Sequence, residues 1–312
     1  MQVIRGLHNC RKQHQHGVIT IGNFDGLHLG HQKIFEQLHH EANRLDAHRC
    51  LMTFEPLPRE YFAKNKHAAR LMNRGEKIRQ LKRFKSSLRP DFLLFLNFNQ
   101  ALANMSADEF IRQILIDKLQ VKAVIVGDDF RFGCDRKGDF ALLKKHGETH
   151  GFSVISIKSH FIENQRVSST LIRDALANNQ LSHANKMLGR TYAICGHVNH
   201  GEKRGRSIGF PTANILLQRP ETPLHGVYSV TMHSPNYGNI AGIANIGRRP
   251  TVDGNRVQLE VHLFDFDESL YGENICVSFQ HKIRDEKKFD SFEALKQQIQ
   301  IDCEEARKRL FQ

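Results

Sequence analysis

Two histidines, His28 and His31, stand three residues apart in the turn Gly22-Asn23-Phe24-Asp25-Gly26-Leu27-His28-Leu29-Gly30-His31. On a helical turn this spacing aims both imidazoles from one face. Two imidazoles there can donate hydrogen bonds to charge developing on a phosphorus centre, with neither acting as nucleophile. The glycines let backbone N–H groups approach a ligand closely, and a helix start offers unpaired donors and a partial positive charge. Zinc is disfavoured, because two ligands are not a site and no cysteine or third histidine stands at a supporting spacing. A tight strand-to-helix turn with surface histidines would share the same residues, so the other segments have to decide.

A second dense stretch is Gly196–Asn214, which includes Gly201, Gly205, Arg206 and Gly209. Glycines with Lys and Arg suit a flexible loop over phosphates, but no G-x-x-x-x-G-K-[ST] exists in the chain, so this is not a P-loop. In Pro211-Thr212-Ala213-Asn214, the Thr212 hydroxyl and the Asn214 carbonyl are hard oxygen donors that suit Mg²⁺ shared with ATP phosphates.

Apolar runs at Val18–Ile21, Leu51–Phe54, Phe92–Leu96, Val121–Val126 and Val154–Ile157 alternate with helical-looking polar segments. That is the pattern of a parallel sheet wound by helices, whose ligands bind beyond the carboxyl ends of the strands. At those ends stand the turn above, Glu55-Pro56-Leu57-Pro58-Arg59-Glu60, Gly127-Asp128-Asp129-Phe130-Arg131-Phe132-Gly133 and Val167-Ser168-Ser169-Thr170-Leu171-Ile172-Arg173. The two prolines of the second segment predict a stiff non-helical lip. In the last, Ser168, Ser169 or Thr170 can cap a helix and Arg173 points back toward its start, making a second phosphate cradle.

After Leu188-Gly189 the pattern changes to period-two strands, Tyr192–Asn199, Val227–Met232, Ile240–Ile246, Val257–Phe264 and Ile275–Phe279, which predict an antiparallel barrel. A closing amphipathic helix with Phe292, Leu295, Ile299, Cys303, Ala306 and Leu310 on one stripe is expected to pack on it. In Val257–Leu263 the alternation puts Gln258, Glu260 and His262 on one face, where a carboxylate at the barrel's ligand mouth could accept a proton. The expected domains are therefore 1–187 and 188–312.

Composition agrees with two globular domains: 312 residues, 40% apolar, with 21 Phe. No apolar run reaches the ~20 residues of a membrane helix and no signal peptide is visible, so a cytoplasmic protein without a membrane partner is expected. Six scattered cysteines (10, 50, 134, 195, 276, 303), with no C-x-x-C, suggest reduced and mostly buried thiols. Of the net charge of +12, residues 188–312 carry only +1, from 16 Lys/Arg against 15 Asp/Glu. Between Arg59 and Arg89 eleven basic residues meet Glu60 and Glu76. That run reads as a solvated helical face that attracts polyphosphate, with no nucleic-acid partner expected, because no aromatic or RNA-binding motif is interleaved.

The segments G-N-F-D-G-L-H-L-G-H, T-F-E-P-L-P-R-E, G-D-D-F-R-F-G and S-S-T-L-I-R, in this order, resemble the nucleotidylyltransferase half of the bifunctional bacterial riboflavin kinase/FAD synthetase family. Gly196–Asn214, Gly226-Val227-Tyr228, Ala244-Asn245-Ile246-Gly247-Arg248-Arg249-Pro250-Thr251 and Leu259–Phe266 resemble its kinase half. Leu57 departs from the family, where many relatives carry a polar residue or His.

The resemblance implies a Rossmann-like α/β domain followed by a β-barrel kinase domain. It implies riboflavin, FMN, FAD and ATP as substrates and products, with Mg²⁺. It further implies that His28 and His31 act on ATP phosphates in the transition state, and that Glu260 is the base for riboflavin phosphorylation. Gly22, Asn23, Phe24, Asp25, Ser168, Thr170 and Arg173 would bind phosphate or nucleotide, Asp129 flavin or Mg²⁺, Thr212 and Asn214 Mg²⁺–ATP, and Gly201, Gly205, Arg206, Gly209 and Asn245 the kinase substrates. Self-association, if any, is expected to be weak. Two rivals are a single-function nucleotidylyltransferase with a non-catalytic barrel and a basic RNA-binding protein; neither accounts for Pro211–Asn214 together with Glu260.

Overall fold

A computed structural model describes residues 1–63, 69–199, 209–217, 219, 221–251 and 254–311, with the side chains of 248–251 and 254–256 left undescribed. The chain forms two compact units, Met1–Ala68 with Lys77–Ser168, and Ala69–Glu76 with Ser169–Gln312.

The first unit is built on a six-stranded parallel sheet: β1 (Gln2–Arg5), β2 (Val18–Ile21), β3 (Arg49–Glu55), β4 (Phe92–Asn97), β5 (Ala123–Gly127) and β6 (Ser153–Ile157), in the order β1-β4-β3-β2-β5-β6. Five of these strands match the apolar runs. The short β1 was not anticipated, because of its four residues only Ile4 is buried. Successive side chains point to opposite faces. Ile19, Ile21, Met52, Leu94, Val124 and Val126 therefore pack on a π-helical segment, Phe110–Lys118, through Phe110, Ile111, Ile114 and Leu115. Val18, Ala123 and Ile125 pack on the other face against Leu38 and Ala42 of helix α1 (Leu29–Arg44). Burial on both faces explains why these strands are continuous apolar runs rather than alternating ones.

The chain winds from β2 outward through β3 to β4, then returns to place β5 on the other side of β2. The winding direction reverses there, and the carboxyl ends of β2 and β5 flank the crevice where such sheets bind ligands. Helix α2 (Pro58–Phe62) follows β3, and α3 (Arg74–Arg83) precedes β4. The expected non-helical proline lip is corrected in part. The Glu55–Pro56 peptide is cis, but Pro58 opens α2, where a missing N–H costs nothing, and Leu57 before it is buried. Helices α4 (Gln100–Asn104), α5 (Ala107–Glu109) and α6 (Phe140–His150) and a hairpin of β7 (Phe161–Ile162) and β8 (Gln165–Arg166) complete the unit.

The second unit carries helices α7 (Ser169–Ala177) and α8 (Leu181–Leu188) and a closed antiparallel barrel. Its strands are β9 (Ala193–Asn199), β10 (Ala213–Leu216), β11 (Gly226–Ser234), β12 (Gly238–Thr251), β13 (Gly254–Leu263) and β14 (Asn274–Arg284), in the order β10-β13-β12-β11-β14-β9 with β9 returning to β10. Four-residue β10 escaped sequence reasoning because Ala213-Asn214-Ile215-Leu216 shows too little alternation. Ile194, Ile215, Tyr228, Val230, Ile246, Leu259, Val261, Val277 and Phe279 are essentially fully buried. Outside the wall, helix α9 (Phe292–Phe311) lays Cys303 and Ala306 on Val227, Ile243 and Phe264. Phe292, expected on that stripe, is 63% exposed, because the buried face begins further along the helix.

Two further expectations are corrected. Cys195 and Cys276, 81 residues apart in sequence, are bonded as a disulfide. They are directly opposite in the β9–β14 register, an adjacency that sequence spacing does not reveal. Cys10, Cys50, Cys134 and Cys303 remain thiols, and all but Cys134 are buried. In the basic run read as a solvated face, Arg70, Glu76 and Lys77 are buried. Glu76 pairs with Arg219 inside the second unit and accepts hydrogen bonds from the Asn73 and Cys195 amides. Among the described residues no helix is long and apolar enough to cross a membrane.

Candidate functional site

The Gly22–His31 turn connects β2 to α1 at the crevice. His28 is the N-cap of α1, and its Nδ1 accepts the His31 amide N–H at 3.3 Å. An accepting Nδ1 leaves Nε2 of the neutral ring as the protonated nitrogen, able to donate. The two imidazoles stack, with ring centroids 3.6 Å apart and planes 18° from parallel. Spacing predicted a shared face, and the stack is tighter than that. Phe24 meets the His31 ring edge-on at 5.2 Å. Gly30 leaves room for the stack, because a Cβ there would lie 3.2 Å from His28 Nδ1 and Cε1 and the imidazole would have to shift by a few tenths of an ångström.

The loop backbone is unusual at three of four consecutive residues: Phe24 (φ 45°), Gly26 (φ 87°) and Leu27 (φ 47°) are left-handed, while Asp25 is not. Alternation of hand turns neighbouring N–H groups toward one concavity, which suits an anion. Asp25 is buried and held by Arg59 of α2 at 2.8 Å, so the segment after β3 clamps the loop. The Asn23 carbonyl accepts from Lys77 Nζ at 2.7 Å and from Thr53 Oγ1 at 3.2 Å. Sequence reasoning left Arg59, Lys77 and Thr53 unassigned. The charges of the 59–89 run were visible, but their burial was not.

The remaining adenylylation candidates divide. The Val167 carbonyl lies 3.7 Å from the Cβ position of Gly30, which brings the chain entering Ser168 alongside the N-terminus of α1. Helix α7 starts at Ser169, and on it Arg173 donates to Thr170 Oγ1 at 2.9 Å, the backward reach expected of it. Asp129, beyond β5, pairs with Arg166 at 2.5 Å on an exposed surface, while Asp128 accepts from the Ser159 amide and hydroxyl. A cluster that sequence reasoning missed stands beyond β3 and β4. Tyr61 and Phe62 contact Phe98 at 5.4 and 5.8 Å, Phe54 lies behind Phe98 at 5.8 Å, and Phe62 is 62% exposed.

On the barrel, Glu260 of β13 is opposite Asn214 of β10 on one side and Asn245 of β12 on the other. The predicted alternation holds: Leu259, Val261 and Leu263 are buried, and Gln258, Glu260 and His262 share the other face. That face points away from the barrel's packed apolar interior. Gln258 Nε2 donates to Asn214 Oδ1 at 2.5 Å and to Glu260 Oε1 at 3.1 Å, and Asn214 Nδ2 donates to the Thr212 carbonyl at 3.3 Å. His262 Nδ1 donates to the Pro211 carbonyl at 2.9 Å. Nearby, Thr212, Ala213, Val261, Asp267, Glu268 and Tyr271 help line a cavity of about 140 Å³. Gly209 is in a left-handed turn (φ 87°). Gly201, Gly205 and Arg206 lie outside the described residues.

No described group of three or more His, Cys, Asp or Glu could cage a metal ion. Neutral hard oxygens are present instead, the Thr212 hydroxyl and the second lone pair of Asn214 Oδ1. This set fits Mg²⁺ arriving with a nucleotide, since Mg²⁺ keeps most of its shell as water and phosphate oxygen.

A histidine pair at the switch point of a parallel sheet, and an antiparallel barrel with one carboxylate between two asparagines, are both suited to phosphate chemistry and belong to the class of nucleotide-using transferases that the following matches identify. The family model described as FAD synthetase matches residues 10–171, and that described as riboflavin kinase matches residues 188–310. A Haemophilus influenzae protein named bifunctional riboflavin kinase/FMN adenylyltransferase is 46% identical over 307 residues, covering 98% of each chain. Its namesake from Escherichia coli K12 is 45% identical over 303 residues, covering 97% of this chain and 96% of that protein. The chain belongs to this family of bifunctional riboflavin kinases/FMN adenylyltransferases. A crystal structure of a protein described as a macrolide-efflux protein from Streptococcus pneumoniae shares the fold, with a TM-score of 0.81 and 32% identity, covering 98% of this chain and 99% of that one.

Proposed function

We infer that the chain makes FAD from riboflavin in two ATP-consuming steps at two separate sites. The observation that carries this reading is the pair of unlike constellations: stacked imidazoles at a helix N-terminus in the first unit, and Glu260 between Asn214 and Asn245 in the second.

In the kinase step the terminal ribityl hydroxyl of riboflavin attacks the γ-phosphorus of ATP. Glu260 accepts the hydroxyl proton, the O–P bond to ADP breaks, and FMN and ADP leave. Gln258 holds one oxygen of Glu260 and fixes its rotamer. Thr212 and Asn214 would hold Mg²⁺ with the nucleotide, and the ion would neutralise charge on the phosphates. Gly201, Gly205, Arg206, Gly209 and Asn245 are assigned to substrate binding around this centre.

In the adenylylation step a phosphate oxygen of FMN attacks the α-phosphorus of a second ATP, and the bond to pyrophosphate breaks. The nucleophile is the substrate's own phosphate, so the protein supplies position and charge stabilisation. His28 Nε2 and His31 donate to the phosphate oxygens as charge grows, while the loop beyond Gly22, whose own N–H donates to the Met52 carbonyl, presents the Phe24 backbone N–H. Ser168, Thr170 and Arg173 are assigned to phosphate binding, on the hydroxyl and guanidinium chemistry of the segment that opens α7. The exposed rings of Tyr61 and Phe62 with Phe98 offer a stacking surface for the isoalloxazine ring, and Asp129 is assigned to the flavin or its metal ion. The boundary between the catalytic domains is placed at 187/188, and the enzyme is assigned to the cytoplasm without a nucleic-acid partner.

Incubation with riboflavin, ATP and Mg²⁺, followed by chromatography, tests the sequence of events. FMN should rise and then fall as FAD accumulates, with ADP released in the first step and pyrophosphate in the second. Formation of neither FMN nor FAD would overturn the reading.

A further inference from the structure

Lys77 is 3% exposed, and its ammonium donates to the Asn23 carbonyl at 2.7 Å and to Thr53 Oγ1 at 3.2 Å. Thr53 donates to the same carbonyl at 3.2 Å. A buried ammonium is costly unless well bonded, and here one of its bonds goes to a backbone oxygen of the Gly22–His31 loop. A peptide group is planar, and in its trans form the C=O and the following N–H point in opposite directions. The only cis peptide among the described residues is Glu55–Pro56, so the Asn23–Phe24 peptide is trans. Tying the Asn23 carbonyl down to Lys77 and Thr53 therefore aims the Phe24 N–H the other way. Phe24 is left-handed, as are Gly26 and Leu27 after it, and a loop of this kind can exchange conformations by rotating one peptide plane. Such a flip would turn the Phe24 donor away from the phosphates and a carbonyl dipole toward them.

We propose that Lys77, with Thr53, is a positioning residue for FMN adenylylation that locks the Asn23–Phe24 peptide so that its N–H faces the phosphates. The inference rests on the assignment of the Gly22–His31 loop to the adenylylation step. Neither side chain is required to touch substrate. The lysine also leaves a positive charge behind the peptide, which deepens the field felt by an anion in the loop.

The test uses the full chain with K77M, T53V, the double variant and H28A. FAD formation from FMN, riboflavin phosphorylation and thermal melting are measured on the same preparations. K77M is expected to lower kcat for FAD formation by roughly 10²-fold, the scale of a misplaced donor, with the KM for FMN nearly unchanged. Its riboflavin phosphorylation should match wild type. T53V should shift kcat in the same direction by less. The double variant should be no worse than K77M alone, because both side chains act on one carbonyl. A folded K77M with wild-type kcat, or fully multiplicative losses in the double variant, would overturn the proposal. If K77M fails to fold, a T53V kcat equal to wild type overturns it. Should H28A keep full FAD formation, the loop assignment fails first; should H28A be inactive while K77M is active, only the role of Lys77 fails.

Discussion

Gly30→Ala should separate stability from activity. Gly30 is in the first turn of α1 with an ordinary helical φ, so alanine there is expected to stabilise the helix by about 0.5–1 kcal/mol. For a unit of this size that raises Tm by roughly 2–4 °C per kcal/mol. The added Cβ, however, would stand 3.2 Å from His28 Nδ1 and Cε1, closer than side chains normally approach. The Val167 carbonyl at 3.7 Å is in ordinary contact and need not move. The imidazole must yield by a few tenths of an ångström, and it is stacked on His31 at 3.6 Å, so both donors shift. Complete loss of one such donor costs ~10²–10³ in rate, and displacement by a fraction of an ångström should cost roughly 10-fold, about 1.4 kcal/mol of barrier. FAD formation from FMN and a melting curve on one preparation give both quantities. A variant with raised Tm and wild-type adenylylation would refute the claim that His28 placement limits this step.

Three further outcomes follow from buried groups. Arg219 and Glu76 have side chains 0% and 2% exposed, so R219M strands a buried carboxylate and should cost roughly 3–5 kcal/mol in urea unfolding, much of it regained in E76Q/R219M. Burial, with the Arg11 charge adding to it, lowers the pKa of His14, and burial lowers that of His48 despite its bond to the His14 carbonyl. The unfolded chain therefore binds more protons below about pH 6.5, and stability should be full above that value and decline as pH falls through it. Urea midpoints of wild type and H48Q against pH should show a weaker decline in the variant. Native thiol titration should label half-exposed Cys134 first, because burial pushes the Cys10 and Cys50 thiols up and Cys303 to about 11. Unfolded without reductant the chain should titrate four thiols, and after reduction six, the difference being Cys195 and Cys276.

The legible parts of the sequence were those where chemistry is local. His28 and His31 are three residues apart, so their pairing could be read from spacing, and the buried strands β2 to β6 announce themselves as apolar runs. Glu260 and its alternation were legible for the same reason, though which face of β13 points outward depends on what fills the barrel. Long-range partners were not legible. Arg59 meets Asp25, Lys77 meets Asn23 and Arg219 meets Glu76 across 34, 54 and 143 positions. A charged side chain reads as solvated until the fold buries it, and this is why the 59–89 run was misjudged. Cys195 and Cys276 were missed on similar grounds, since only strand register makes them neighbours. Asn214 could be picked out as an oxygen donor, but its place opposite Glu260 required β10, too short to see.

The division of labour between the two sites is tested most directly by a crossed assay of H28A and E260A in the full chain. Riboflavin with ATP and Mg²⁺, and separately FMN with ATP and Mg²⁺, are supplied to each folded variant. H28A should phosphorylate riboflavin at the wild-type rate and accumulate FMN, with FAD formation reduced by ~10²–10³. E260A should convert supplied FMN to FAD normally and leave riboflavin unphosphorylated. Loss of both activities in either folded variant, or undiminished FAD formation by H28A, would contradict the account.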